Sequence, residues 1–211
     1  MIKKASTQLI AGPAGDLEIL VTIPNLPKKQ SNNAFAVICH PHPLHGGAMT
    51  NKVVYMIDRT FNGLGLGTLR FNFRGVGKST GQFDNGKGET DDLRAVVNWL
   101  KNEYAPSELW LAGFSFGSEI ALRGHCDLEA NRLLLVAPPV ERFQAENLPL
   151  SNIPILVIQG DKDEIVSPTS VSAWVKTQTH QAEYIIMADA EHFFHGKLNQ
   201  LRDVITTAWD N

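Results

Sequence analysis

The stretch Leu109-Trp110-Leu111-Ala112-Gly113-Phe114-Ser115-Phe116-Gly117-Ser118-Glu119-Ile120-Ala121-Leu122 constrains the fold most. A short apolar run enters it, a Gly-x-Ser-x-Gly turn stands in its middle, and a helix-like pattern leaves it. Such a string reads as a strand, a sharp turn and a helix, with the serine at the apex and its hydroxyl exposed. The turn draws backbone segments so close that a Cβ at Gly113 or Gly117 is expected to collide with its surroundings. N–H groups at the start of the helix lack partners and favour negative charge. A serine held there has donors at hand for the oxyanion that forms when it attacks a carbonyl. The bland alternative is a strand–helix turn whose small residues merely permit close packing. Whether the chain also supplies a base and an orienting acid decides between the two.

The rest of the chain alternates strand and helix patterns. Residues 16–23 read as a strand, paired with Thr7–Ala11 across the Gly12-Pro13-Ala14-Gly15 turn. Pro24 to Asn33 is a polar, proline-bearing loop. Ala34–Cys39 is a continuous apolar run, the mark of a strand covered on both faces. A helix is expected over 48–62, closed by Gly63-Leu64-Gly65-Leu66-Gly67, then a strand over Thr68–Phe73 and a glycine-rich loop to Gly88. Residues 89–104 read as a helix with Glu89, Asp91 and Asp92 in its first turn, where they suit the dipole. After the central strand come a helix from Phe116 to about His125, strands at Arg132–Val136 and Ile153–Gln159, a helix over 168–179, a strand at Glu183–Met187 and a closing helix over 197–209. This alternation predicts a single α/β domain with a mostly parallel sheet and helices on both faces. In such sheets functional residues lie beyond the carboxyl ends of the strands. The loops expected there hold His40 to His45, Ser115, Asp161 to Glu164, and Glu191-His192.

Composition removes several classes of function. The net charge is −3, and no cluster of Lys and Arg suggests a nucleic-acid or anionic-membrane surface. No apolar run approaches the length of a membrane span, and the start shows no signal-peptide core. Cys39 and Cys126 are far apart, and no disulfide is expected between them. A cytoplasmic protein that binds neither nucleic acid nor membrane is the expectation.

A serine hydroxyl needs a base to take its proton, usually a histidine oriented by a carboxylate. After Ser115 the chain supplies Gly160-Asp161-Lys162-Asp163-Glu164-Ile165-Val166 at a strand end, then Ala190-Glu191-His192-Phe193-Phe194-His195. The order Ser, Asp, His is thus met, with Asp161 or Asp163 as acid and His192 or His195 as base. One oxyanion donor is expected to be the N–H of Phe116. The other must come from the His40–Gly47 loop, where Pro41 and Pro43 have no N–H, leaving His42 or Leu44.

These motifs together resemble a small α/β-hydrolase of the lid-less group related to dienelactone hydrolases and acyl-peptidases. The resemblance runs from about Ala34 to the C-terminus. It rests on His40-Pro41-His42-Pro43-Leu44-His45-Gly46-Gly47, Arg70-Phe71-Asn72-Phe73-Arg74-Gly75-Val76-Gly77, the Gly113–Gly117 turn, Gly160-x-x-Asp163-x-x-Val166 and His192. It implies Asp163 as acid, His192 as base, and His42 beside Phe116 as oxyanion donor, although glycine is usual at the position of His42. It also implies that Arg74 is scaffold. Leu44, Phe193 and Phe194, with Phe116 and Phe83, are expected to line an acyl pocket, and Phe114 to be core. Ala137 to Asn152 is too short for a lid domain. The expected activity is carboxylic-ester hydrolysis on a small acyl substrate without a cofactor, with thioesterase or peptidase activity of the same fold as the alternative. Three other classes compete. Asn72–Ser79 ends in Gly-Lys-Ser like a phosphate-binding loop. His40, His42 and His45 could ligate a metal. A non-catalytic member would only bind ligands.

Overall fold

A computed structural model of the chain describes residues 7–24, 33–143, 148, 152–178 and 182–209. Strands β1 (Gln8–Gly12) and β2 (Gly15–Thr22) pair antiparallel. There follow β3 (Ala34–Cys39), α1 (Lys52–Gly63), β4 (Gly67–Phe71), α2 (Lys87–Tyr104), β5 (Glu108–Phe114), α3 (Phe116–Gly124) and β6 (Arg132–Val136). The short α4 (Val140–Phe143), β7 (Ile155–Gly160), α5 (Pro168–Lys176), β8 (Ala182–Met187) and α6 (Leu198–Trp209) complete the described elements. The strands form one sheet in the order β1-β2-β4-β3-β5-β6-β7-β8. The strands β3 to β8 run parallel, and β2 joins β4 antiparallel.

The apolar runs are continuous because both faces of the sheet are covered. On β3, Phe35, Val37 and Cys39 pack toward α2, α3, α4 and α5, while Ala34, Ala36 and Ile38 pack toward α1 and α6. Alternation repeats on β5, where Leu109 and Leu111 take the first face and Trp110, Ala112 and Phe114 the second. Among the described residues no helix is long and apolar enough to cross a membrane.

Several boundaries differ from the pattern-based expectation, each for a local reason. The helix expected from 48 starts at Lys52, because Asn51 caps it through Oδ1, accepting from the N–H of Val53 (2.9 Å). The strand expected to reach Phe73 ends at Phe71, because the N–H of Phe73 is diverted to the Nε2 of His40 (3.0 Å). At the start of α2, Glu89 reaches back to the N–H groups of Gly86 (2.7 Å) and Asp84 (2.9 Å), and Asp92 is engaged by Arg74. Of the Pro24–Asn33 loop, 25–32 lie outside the described residues, as do 144–147 and 149–151 of the 137–152 connection and residue 179.

Candidate active site

Ser115 is the single residue between β5 and α3, and it holds φ 53° and ψ −123°, a backbone region disfavoured for a residue with a Cβ. The surroundings over-determine that conformation. Its N–H donates to the carbonyl of Val136 (2.8 Å), and the Ser118 hydroxyl donates to the carbonyl of Gly113 (2.7 Å). A Cβ on Gly113 would run into the backbone of Gly117, and one on Gly117 into the carbonyl of Cys39. Both glycines are therefore required by the close approach of β5, α3 and the end of β3. The turn leaves Ser115 half-buried with its hydroxyl at the C-terminal edge of the sheet.

Two further strand ends meet it there. His192, in the loop after β8, places Nε2 at 3.1 Å from the Ser115 Oγ. Its Nδ1 lies 2.8 Å from Oδ2 of Asp163, in the loop after β7. Asp163 is fixed by backbone: Oδ1 accepts from the N–H groups of Ile165 (2.9 Å) and Val166 (2.8 Å). Burial alone would raise its pKa, but the hydrogen bonds from His192, Val166 and Ile165 outweigh this and hold the carboxyl below its ordinary value. Asp161 points to solvent, and His195 is 68% exposed beside Glu191. The geometry thus brings Asp163 and His192 to Ser115 and leaves Asp161 and His195 outside.

Phe116 opens α3, so its N–H is among the first four of the helix and has no partner within it. The loop after β3 contains a short helical turn, Pro43–His45, that sequence patterns did not signal. In it the N–H of Leu44 donates to the Nδ1 of His42 (3.3 Å). The His42 ring lies 5.1 Å from that of Phe116 and 4.8 Å from that of Phe83. Burial, reinforced by the positive charges of His45 and Arg142, holds the His42 pKa down.

Of the expected pocket residues, Leu44 (68% exposed) and Phe193 (39% exposed) present apolar surface. The Phe116 side chain, 1% exposed in the core on the α2 and α3 face, does not line the expected pocket, and Phe194 is a second correction. It is fully buried among the residues facing α1 and α6, beside Phe114, and cannot touch a substrate. Phe114 is core, as expected.

The competing chemistries do not fit the geometry. His40 is fully buried with both ring nitrogens occupied, Nδ1 by the carbonyl of Pro41 (2.7 Å) and Nε2 by the N–H of Phe73. It therefore cannot join His42 and His45 on an ion, and among the described residues no three His, Cys, Asp or Glu side chains gather as metal ligands. The Asn72–Ser79 loop does not open a helix, since α2 starts only at Lys87. Arg74 instead clamps Asp92 through Nε and Nη2 (2.7 Å from Nη2), and Ser79 is bonded to Glu18 and Asn72. Arg74 is scaffold.

Sequence patterns missed Gln159. It is fully buried at the end of β7 and donates from Nε2 to the same Oδ2 of Asp163 that faces His192 (2.8 Å). The available signal was a polar residue closing the apolar run Ile155–Ile158.

The fold and this strand-end arrangement define an α/β hydrolase, and the comparisons agree. The family model described as an alpha/beta hydrolase domain matches residues 36–204, and the chain belongs to that family. It is similar to an alpha-beta serine hydrolase homologue from Coxiella burnetii, with 42% identity, a TM-score of 0.92, and 99% of this chain and 98% of that one covered. It is equally similar to a Xanthomonas campestris member of the serine hydrolases without lid, with 42% identity, a TM-score of 0.91, and coverage of 98% and 94%. An uncharacterized protein of Rickettsia prowazekii is 39% identical over 92% of this chain and 84% of its own length. With 94% of a lid-less relative's chain matched, this protein is a small α/β hydrolase of the lid-less type.

Proposed function

We propose that the chain is a serine hydrolase that cleaves carboxylic esters through an acyl-enzyme on Ser115. The observation that carries this reading is the unbroken hydrogen-bond chain from Ser115 Oγ through His192 to Asp163. As Oγ attacks the carbonyl carbon, His192 takes its proton at Nε2. Asp163 accepts from Nδ1, which fixes the tautomer and stabilises the imidazolium. The carbonyl oxygen becomes an oxyanion and is held by the N–H groups of Phe116 and His42. His192 then returns the proton to the leaving alkoxide, the C–O bond breaks, and the alcohol departs. Water, deprotonated by His192, attacks the acyl-enzyme, and Ser115 is released with its proton restored. Leu44 and Phe193 offer apolar contact at an open site without a lid, which suits small or exposed acyl groups. The test is hydrolysis of a p-nitrophenyl acyl ester by wild type and by Ser115→Ala. The variant is expected to lose turnover by about 10⁴-fold or more. Wild-type turnover in Ser115→Ala would overturn the mechanism.

A further inference from the structure

One cation at this edge of the sheet is left unexplained by the reaction as described. Arg142, on α4, directs Nε to Oε2 of Glu119 (2.6 Å). Glu119 is itself buried in α3, four residues beyond Ser115, and its Oε1 already receives Arg123 through Nε (3.1 Å) and Nη2 (2.9 Å). A second arginine is thus not needed to supply the buried carboxylate with a charged partner. What the Glu119 contact does is orient the Arg142 guanidinium. The guanidinium sits 5.4 Å from the centre of the Phe116 ring, with the side chain 38% exposed. Neither Nη group of Arg142 carries a hydrogen-bond partner among the described residues. Among the described residues the four N–H donors of this planar fork thus have no partner beside the residue that follows the nucleophile, and such a fork matches a carboxylate or phosphate.

Its side of the site also follows. His192 packs on Phe114, which belongs to the face covered by α1 and α6. Phe116, beneath Arg142, belongs to the opposite face with α2 and α3. The leaving oxygen must lie on the His192 side to be protonated. The Arg142 side then falls to the acyl group.

We propose that Arg142 is a specificity residue that binds an anionic group on the acyl part of the substrate, so that the preferred substrates are esters of acids bearing a second, negatively charged group. This rests on the ester-hydrolase reading above.

The experiment compares kcat/KM for p-nitrophenyl hexanoate and for the mono-p-nitrophenyl ester of adipic acid, which differ by a terminal carboxylate. The adipate-to-hexanoate ratio is expected to fall about tenfold or more in Arg142→Gln, the scale of one charge-assisted hydrogen bond, and to recover in part in Arg142→Lys. Added salt is expected to lower the ratio in wild type. A thermal melt of each variant confirms that the remaining Arg123–Glu119 pair sustains the fold. An unchanged ratio in folded Arg142→Gln would overturn the proposal. So would an effect confined to the hexanoate of 4-hydroxybenzoate, where the charge is on the leaving group. If wild type turns over neither ester and a fluorophosphonate does not label Ser115, the hydrolase reading itself fails. Labelling of Ser115 and hexanoate turnover with an unchanged ratio overturn only the role of Arg142.

Discussion

Two histidine-bearing loops lie at the same edge of the sheet, one after β3 and one after β8, and they have opposite chemical characters. His40 and His192 are both buried. Burial is therefore not what separates them. His40 spends both nitrogens on main chain, joining the carbonyl of Pro41 to the N–H of Phe73 and so tying the ends of β3 and β4 together. His192 spends one nitrogen on a carboxylate and turns the other to a hydroxyl. A histidine between two backbone groups has no proton to exchange without breaking the fold. A histidine between an acid and a hydroxyl can pass a proton between partners without breaking the fold. The partner atoms make the distinction, and it can be attacked from both sides.

The largest contrast is expected from truncating each ring. In His192→Ala, kcat/KM for a p-nitrophenyl ester should fall about 10⁴-fold, while the melting temperature moves by only a few degrees. In His40→Ala, two buried backbone groups lose their partners at about 1–3 kcal/mol each, so the melting temperature should drop by about 10 °C. Calorimetry and steady-state kinetics on both variants check this. Equal destabilisation with equal loss of turnover would erase the contrast.

A smaller effect tests how the acid is held. Gln159→Leu removes the donor at Oδ2 of Asp163 but keeps the two backbone N–H groups at Oδ1. The expected result is about a tenfold loss in kcat/KM. Unaltered rates would show that Asp163 is held in place without Gln159.

A further effect is in stability against pH. Burial pushes the His40 pKa down to about 4. The unfolded chain, with an ordinary histidine, takes up a proton near pH 6.5, while the folded protein does not until near 4. Stability from this site is thus complete above about pH 6.5 and declines as pH falls toward 4, by on the order of 3 kcal/mol. Denaturant unfolding across that window should show a flatter pH dependence in His40→Asn than in wild type. Identical slopes would mean that His40 is not held neutral.

The sequence made Ser115, Asp163 and His192 legible because each lies just past an apolar run and because the chain meets them in the order usual for α/β hydrolases. The choice between Asp161 and Asp163, or between His192 and His195, was not legible to residue pattern alone, because neighbours two or three positions apart on a loop differ by where the backbone turns them. Phe194 was misread for a related reason. An aromatic beside a reactive histidine can face solvent or core, and φ 53° at this residue accompanies a ring turned into the core. Gln159 and Arg142 escaped notice because their significance depends on a partner in a different element. Gln159 matters through Asp163 and Arg142 through Glu119 and Phe116. The strands were the most legible feature, since a sheet covered on both faces leaves few polar interruptions to confuse the pattern.

The central claim is that His192, and not His40, activates Ser115. It is tested most directly by the rate at which a fluorophosphonate modifies the protein, with the adduct mapped by mass spectrometry. Wild type and folded His40→Asn are expected to carry a single adduct on Ser115, and His192→Ala to label far more slowly. Undiminished labelling of Ser115 in His192→Ala, or an adduct on another residue in wild type, would contradict the account.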